Sequence, residues 1–153
     1  MNIERLTKLA ELLDTVPPDR FNMDYWGLTP RGGPEELNIV ECGTSACALG
    51  WACSIPEFRA AGLRLRKHST SIRYDHFSPE FKARSEAYPA MEVIKEAFLA
   101  GAAFFDITLE ESEWLFLPRR YEPPGFDQDE DPPLVITPAD VAARIRTLIA
   151  QGD

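Results

Sequence analysis

At 153 residues the chain has the size of one ordinary domain, and its composition, 44% hydrophobic and 10% aromatic, suits a packed globule rather than a disordered chain. A formal net charge of −9 sets it against phosphate backbones, and no apolar run approaches the ~18 residues of a membrane helix. The opening Met-Asn-Ile-Glu-Arg-Leu lacks the apolar stretch of a signal peptide, so the chain is expected in the cytoplasm, where its three cysteines stay reduced.

Asn2 predicts the N-cap of a helix from Ile3 to Leu13, because its side-chain oxygen can accept a first-turn N–H. Ile3, Leu6, Leu9, Ala10 and Leu13 share one face, with Glu4, Arg5, Lys8 and Glu11 largely opposite, and Val16-Pro17-Pro18 ends the pattern. Phe21, Met23 and Tyr25 alternate with Asn22 and Asp24, which predicts a short strand; Leu37 and Ile39 are candidates to pair back with it. The aromatics Phe21, Tyr25 and Trp26 read as cover for a core helix rather than as the wall of a ligand pocket.

The stretch Cys42-Gly43-Thr44-Ser45-Ala46-Cys47-Ala48-Leu49-Gly50-Trp51-Ala52-Cys53 holds all three cysteines. Thr44 predicts an N-cap, and from Ser45 to Cys53 the side chains are small or apolar in every direction. A helix without a polar face is buried all round, so this one is expected at the centre of the fold. Gly50 costs about 1 kcal/mol against alanine inside a helix, which predicts a close neighbour there.

Ser54-Ile55-Pro56-Glu57 has the spacing of a capping box, and Gly62 that of a helix C′ residue after Phe58 and Ala61. Leu63 and Leu65 then alternate with Arg64 and Arg66, and Ile72 and Tyr74 with Ser71 and Arg73, around a polar turn at 67–70. That change of period predicts a β-hairpin. Ser78-Pro79-Glu80 opens another helix, and after Tyr88-Pro89 the residues Met91, Ile94, Ala97, Phe98 and Gly101 form a stripe at helical spacing. Thr108 and Glu111 make a second capping box before Trp114 and Leu115. Residues 118–133 contain five prolines among charges, and Thr137-Pro138-Ala139-Asp140 caps a last helix with Val141, Ile145, Leu148 and Ile149 as its buried stripe. The fold expected is α+β and mainly helical, with a central buried helix surrounded by helices and one or two small β-hairpins. It forms a single domain over 1–153, with an irregular acidic, proline-rich segment at 118–133.

Four blocks also occur together: Phe21-Asn22-Met23-Asp24-Tyr25-Trp26, then Cys42-Gly43-Thr44-x-x-Cys47-x-x-Gly50-Trp51-Ala52, then 108–118, then Thr137-Pro138-x-Asp140. In these the chain resembles a group of small uncharacterised bacterial and phage proteins, most distinctively in the Cys-Gly-Thr block. The resemblance bears on the fold and implies no activity.

For chemistry, Cys42 stands just before a predicted helix N-terminus, where free N–H groups stabilise a thiolate. A cysteine-dependent hydrolase or transferase would use it with His68 or His76 as base, the two histidines of the chain. Its neighbours Ile39, Val40, Ala46 and Trp51 are apolar, which points instead to a buried thiol. Zinc is not expected. Cys42 and Cys47 are separated by four residues, in Cys-x4-Cys form, but Cys47 and Cys53 differ by about 240° around a helix and cannot face one ion. A reversible Cys42–Cys47 disulfide is disfavoured in a reducing compartment. Asp127, Asp129 and Asp131 alternate like the first ligands of a calcium loop, yet Pro132 and Pro138 occupy the places that need glycine and glutamate. No cofactor is expected.

Arg64, Arg66, Lys67 and Arg73 gather on the predicted hairpin, a weak candidate for nucleic-acid contact against the simpler reading of a solvated sheet face. Between 106 and 133 stand nine acidic residues and two arginines, so most of the negative charge sits in one stretch. Asp127, Asp129, Glu130 and Asp131 are its candidate interaction residues. The sequence thus favours a small, non-enzymatic accessory protein that meets another protein through an acidic surface, with Cys42 chemistry as the alternative.

Overall fold

The computed structural model describes residues 1–24, 45–66, 69–73, 93–94, 97–127 and 129–152. Helix α1 (Ile3–Leu13) begins at Asn2, whose side-chain oxygen accepts the Arg5 N–H at 3.0 Å. It buries Leu6, Leu9, Ala10 and Leu13, chiefly against the last helix, α6 (Pro138–Gln151), which contributes Val141, Ala142, Ile145 and Leu148. An exposed ion pair, Asp14 with Arg146, joins the two. The start of α6 is a complete capping box: Thr137 Oγ1 accepts the Asp140 N–H at 3.2 Å, and Asp140 Oδ2 accepts the Thr137 N–H at 2.7 Å.

The expected central helix is present but shorter. Helix α2 spans Ala48–Ala52, all five residues buried, with Cys47 as an N-cap that makes no side-chain capping bond. Residues 45–46 do not join it because the backbone of Ala46 is committed elsewhere. Its N–H donates to Arg20 O at 3.3 Å and its carbonyl accepts the Asn22 N–H at 3.2 Å, a parallel bridge to Phe21. That bridge also replaces the strand expected from Phe21 onward: within 21–24 the chain turns, with Asn22 Oδ1 accepting the Asp24 N–H at 2.8 Å. The Thr44 cap and the pairing of Tyr25 with 37–39 lie outside the described residues.

After α2 the chain forms α3 (Pro56–Ala60), but not through a Ser54–Glu57 capping box. Ser54 Oγ donates to Trp51 O at 2.7 Å and Glu57 pairs with Lys8 at 2.7 Å, leaving Ile55 as an N-cap without a side-chain bond. Gly62 closes the helix with φ +96°, a conformation that favours glycine, and Leu63 N–H reaches back to Phe58 O at 3.0 Å. Among the described residues three short strands follow, β1 (Arg64–Arg66), β2 (Ser69–Arg73) and β3 (Val93–Ile94). They pair antiparallel in the order β1-β2-β3, with Arg64 opposite Ser71 and Ile72 opposite Ile94.

Helix α4 (Ala97–Phe105) is a second helix without a polar face, and residues 99–105 are all buried. The stripe from Met91 suggested an earlier start. Val93 and Ile94 instead take the strand conformation that β-branched side chains favour, and the helix begins at Ala97. Helix α5 (Leu109–Phe116) opens with the expected capping box, Glu111 N–H to Thr108 Oγ1 at 3.1 Å and Thr108 N–H to Glu111 Oε2 at 2.7 Å.

Gly101 shows how closely these helices meet. A Cβ there would stand 2.9 Å from Ser112 Oγ on α5 and 3.1 Å from a Leu49 methyl on α2. Ser112 is itself fully buried and donates to Phe98 O at 2.7 Å, so its hydroxyl is satisfied inside the core. Phe58, Phe104, Phe105 and Phe116 complete the interior, with successive ring centroids 4.9 to 5.9 Å apart. At the C-terminal end of α4, Arg5 Nη1 donates to Phe104 O at 2.7 Å and Asn2 N–H to Phe105 O at 2.8 Å. Both satisfy carbonyls that the helix leaves open.

Candidate interaction groove

Three stretches remote in sequence enclose a cleft of about 630 Å³. Its walls are residues 21–24, residues 117–119 with Glu122 and Phe126, and residues 133–136. The first wall is fixed by the bridge to Ala46 and by Trp51, whose indole N–H donates to Arg20 O at 3.1 Å while the Arg20 guanidinium lies 5.1 Å from its ring centroid.

The second wall continues from α5 through a 3₁₀ turn, Pro118–Tyr121. Its anchor is Arg144 of α6, which lies 3.5 Å from the Tyr121 ring centroid and 4.9 Å from that of Trp114. The same guanidinium donates to Trp114 O at 2.7 Å and Arg120 O at 2.8 Å. Tyr121 O–H donates to Leu115 O at 2.7 Å, and burial pushes its pKa well above the ordinary phenol value. The part of 118–133 nearest α5 is thus held by both flanking helices.

The third wall is different in kind. Leu134 is 40% exposed and Val135 80%, and among the described residues the backbone N–H and C=O groups of 134–136 form no hydrogen bond. Asp24, Arg119 and Glu122 stand among the lining residues, so the groove combines apolar side chains with charged ones.

The predicted acidic residues adjoin this groove, because Phe126 and Pro133, which bracket them in the chain, both line it. Asp127, Asp129, Glu130 and Asp131 are all exposed. Two of them shape the turn: Asp131 Oδ2 accepts the Asp127 N–H at 2.7 Å and Asp127 Oδ1 the Asp129 N–H at 2.9 Å. Asp129 and Glu130 pair with no cation among the described residues, so their charge faces water.

Cys42, Lys67, His68 and His76 lie outside the described residues, and Arg66 and Arg73 are placed by their backbone on β1 and β2. Arg64 is engaged with protein: its guanidinium donates to Arg59 O and, at 3.1 Å, to Leu63 O. Cys47 and Cys53 are buried; loss of water pushes the Cys47 thiol up to about 11, and burial followed by the neighbouring Cys47 raises Cys53 further from thiolate character. Neither is poised as a nucleophile. Among the described residues no three His, Cys, Asp or Glu side chains group to hold a metal ion, and no helix is long and apolar enough to cross a membrane.

The sequence reading missed the groove itself. Leu134 and Val135 carried the available signal, an apolar pair between Pro132-Pro133 and the Thr137 cap that belongs to no helical stripe. Comparison with protein-family models, curated proteins and solved structures found no match for the chain.

Proposed function

We propose that the protein is a small cytoplasmic, non-enzymatic accessory factor, of the bacterial and phage kind its sequence blocks resemble, that acts by contact with a partner protein. The contact face is the acidic turn 127–131 together with the adjoining groove. One observation carries this reading: Val135, 80% exposed, stands at a cleft whose neighbouring turn presents uncompensated carboxylates. An apolar side chain that stays 80% in water adds little burial to the fold, whereas a partner that covers it gains from its burial. The same carboxylates repel a phosphate backbone, which favours a protein over a nucleic acid as partner.

The test compares two baits, the protein and a variant carrying Asp127→Asn, Asp129→Asn, Glu130→Gln and Asp131→Asn, at low and at physiological salt. The amides keep the oxygens that accept the turn's N–H bonds, so the fold is retained. Proteins held by the first bait and lost from the second, most sharply at low salt, support the reading. Identical sets on both baits overturn it.

A further inference from the structure

We infer that the groove takes an extended peptide segment of the partner in which apolar residues alternate with lysine or arginine; this deepens the reading above and rests on it. Two features of the groove define such an occupant. Along 134–136 the backbone donors and acceptors form no bond among the described residues, while Pro132 and Pro133 have no N–H to offer. Main-chain pairing with an extended peptide would therefore begin at Leu134, through the same N–H and C=O groups that strand addition uses.

An extended peptide sends alternate side chains to opposite sides. Those that enter the groove meet the apolar side chains among its lining, Phe21, Met23, Phe126 and Ile136, and those that point away are left near charge. That charge selects the peptide's sign. The turn at 127–131, joined to the groove through Phe126 and Pro133, presents four exposed carboxylates in a chain of net charge −9, and Asp24 is exposed in the first wall. Cations at every second position match this surface, and acidic residues there would be repelled. The apolar partners of the alternation would remove Val135 from water.

The experiment uses three fluorescent heptapeptides, alternating leucine with lysine, leucine with glutamate, and serine with lysine, titrated into the intact protein by anisotropy. The leucine–lysine peptide should bind at least about 10-fold more tightly than either control, a difference of 1.4 kcal/mol. Val135→Pro, which removes a backbone donor without changing charge, should weaken it by a similar factor, with an unchanged melting temperature confirming the fold. Equal binding of the serine–lysine and leucine–lysine peptides would overturn the groove assignment and leave the acidic contact face standing. Equal binding of the leucine–lysine and leucine–glutamate peptides would overturn the charge assignment. Loss of partner discrimination between the two baits above would instead remove the underlying reading.

Discussion

Helix α4 and the segment 117–136 use apolar residues in opposite ways. In α4 every side chain from 99 to 105 is withdrawn from water, and Gly101 leaves no room for even one more carbon between Ser112 and Leu49. In 117–136 the chain is held at its start by Arg144 and Tyr121, then leaves Leu134 and Val135 exposed along a backbone with no bonds of its own among the described residues. The first arrangement leaves no surface to offer, because close packing has used every contact. The second leaves apolar area and hydrogen-bonding capacity unspent, and those are the quantities that association consumes.

The comparison predicts that damage in α4 is a folding defect. Gly101→Val should destabilise by about 3 kcal/mol or more, since its first carbon already meets Ser112 Oγ at 2.9 Å. In a Ser112→Ala background the cost should fall, because the oxygen in the way is gone, giving a coupling of about 0.5–3 kcal/mol in a double-mutant cycle by urea unfolding. Additive effects would mean that α4 and α5 can part at low cost, and the contrast between a packed and an open region would lose its basis.

Burial of the thiols sharpens the same point through pH. Below the ordinary thiol value of 9.0 the folded and unfolded chains both keep the Cys47 proton, and stability is indifferent to it. Between 9.0 and about 11 the unfolded chain releases that proton while the folded one retains it, so stability falls as pH rises. The share due to Cys47 is roughly 3 kcal/mol at its limit. Cys53 is raised by burial too and adds a loss of the same sign. Denaturant unfolding under reducing conditions should therefore show a shallower alkaline decline for Cys47→Ala than for the natural chain. Parallel declines would place Cys47 in contact with water.

The start of the open segment is held by Arg144 of α6. Arg144→Lys keeps the charge but loses the planar stack on Trp114 and Tyr121 and the two-carbonyl clamp. A loss of about 1–3 kcal/mol is expected, with Tyr121 fluorescence or exchange of the 118–121 amides reporting release of the turn. Retention of both signals would show that the groove's second wall holds its shape without α6.

How far each region could be read from sequence follows from how local its determinants are. Asn2, Thr108 with Glu111, and Thr137 with Asp140 cap their helices through neighbours three residues away, and those starts were legible. The first residue of α2 was not, because a bridge between Phe21 and Ala46 decides it, and nothing near Ser45 records that pairing. Nor was the true start of α4, where Met91, Ile94 and Ala97 keep helical spacing while Val93 and Ile94 pair with β2. The sequence placed Cys47 inside the helix, whereas the structure makes it the N-cap, and only its surroundings there identify it as a buried thiol. The groove was the least legible, since Met23, Leu117 and Val135 come together only in the folded chain. The acidic turn beside it could be named because four carboxylates in five residues are a property of the chain itself.

The smallest expected effect tests the open region most directly. Leu134 and Val135 already meet water in the folded protein, so replacing both with serine removes little buried area. The substitution also leaves the backbone of 134–136 as it was, and neither side chain belongs to the stripe of α6 that seals the core. Stability should change by no more than about 0.5 kcal/mol, the range of surface substitutions away from caps and packed sites. The same double variant should lose capture of its partner protein, because the apolar half of the contact face is gone while the acidic half remains. A large drop in melting temperature would show instead that these two residues serve the fold. The segment would then belong with α4 on the closed side of the comparison, and their exposure would no longer speak for a partner.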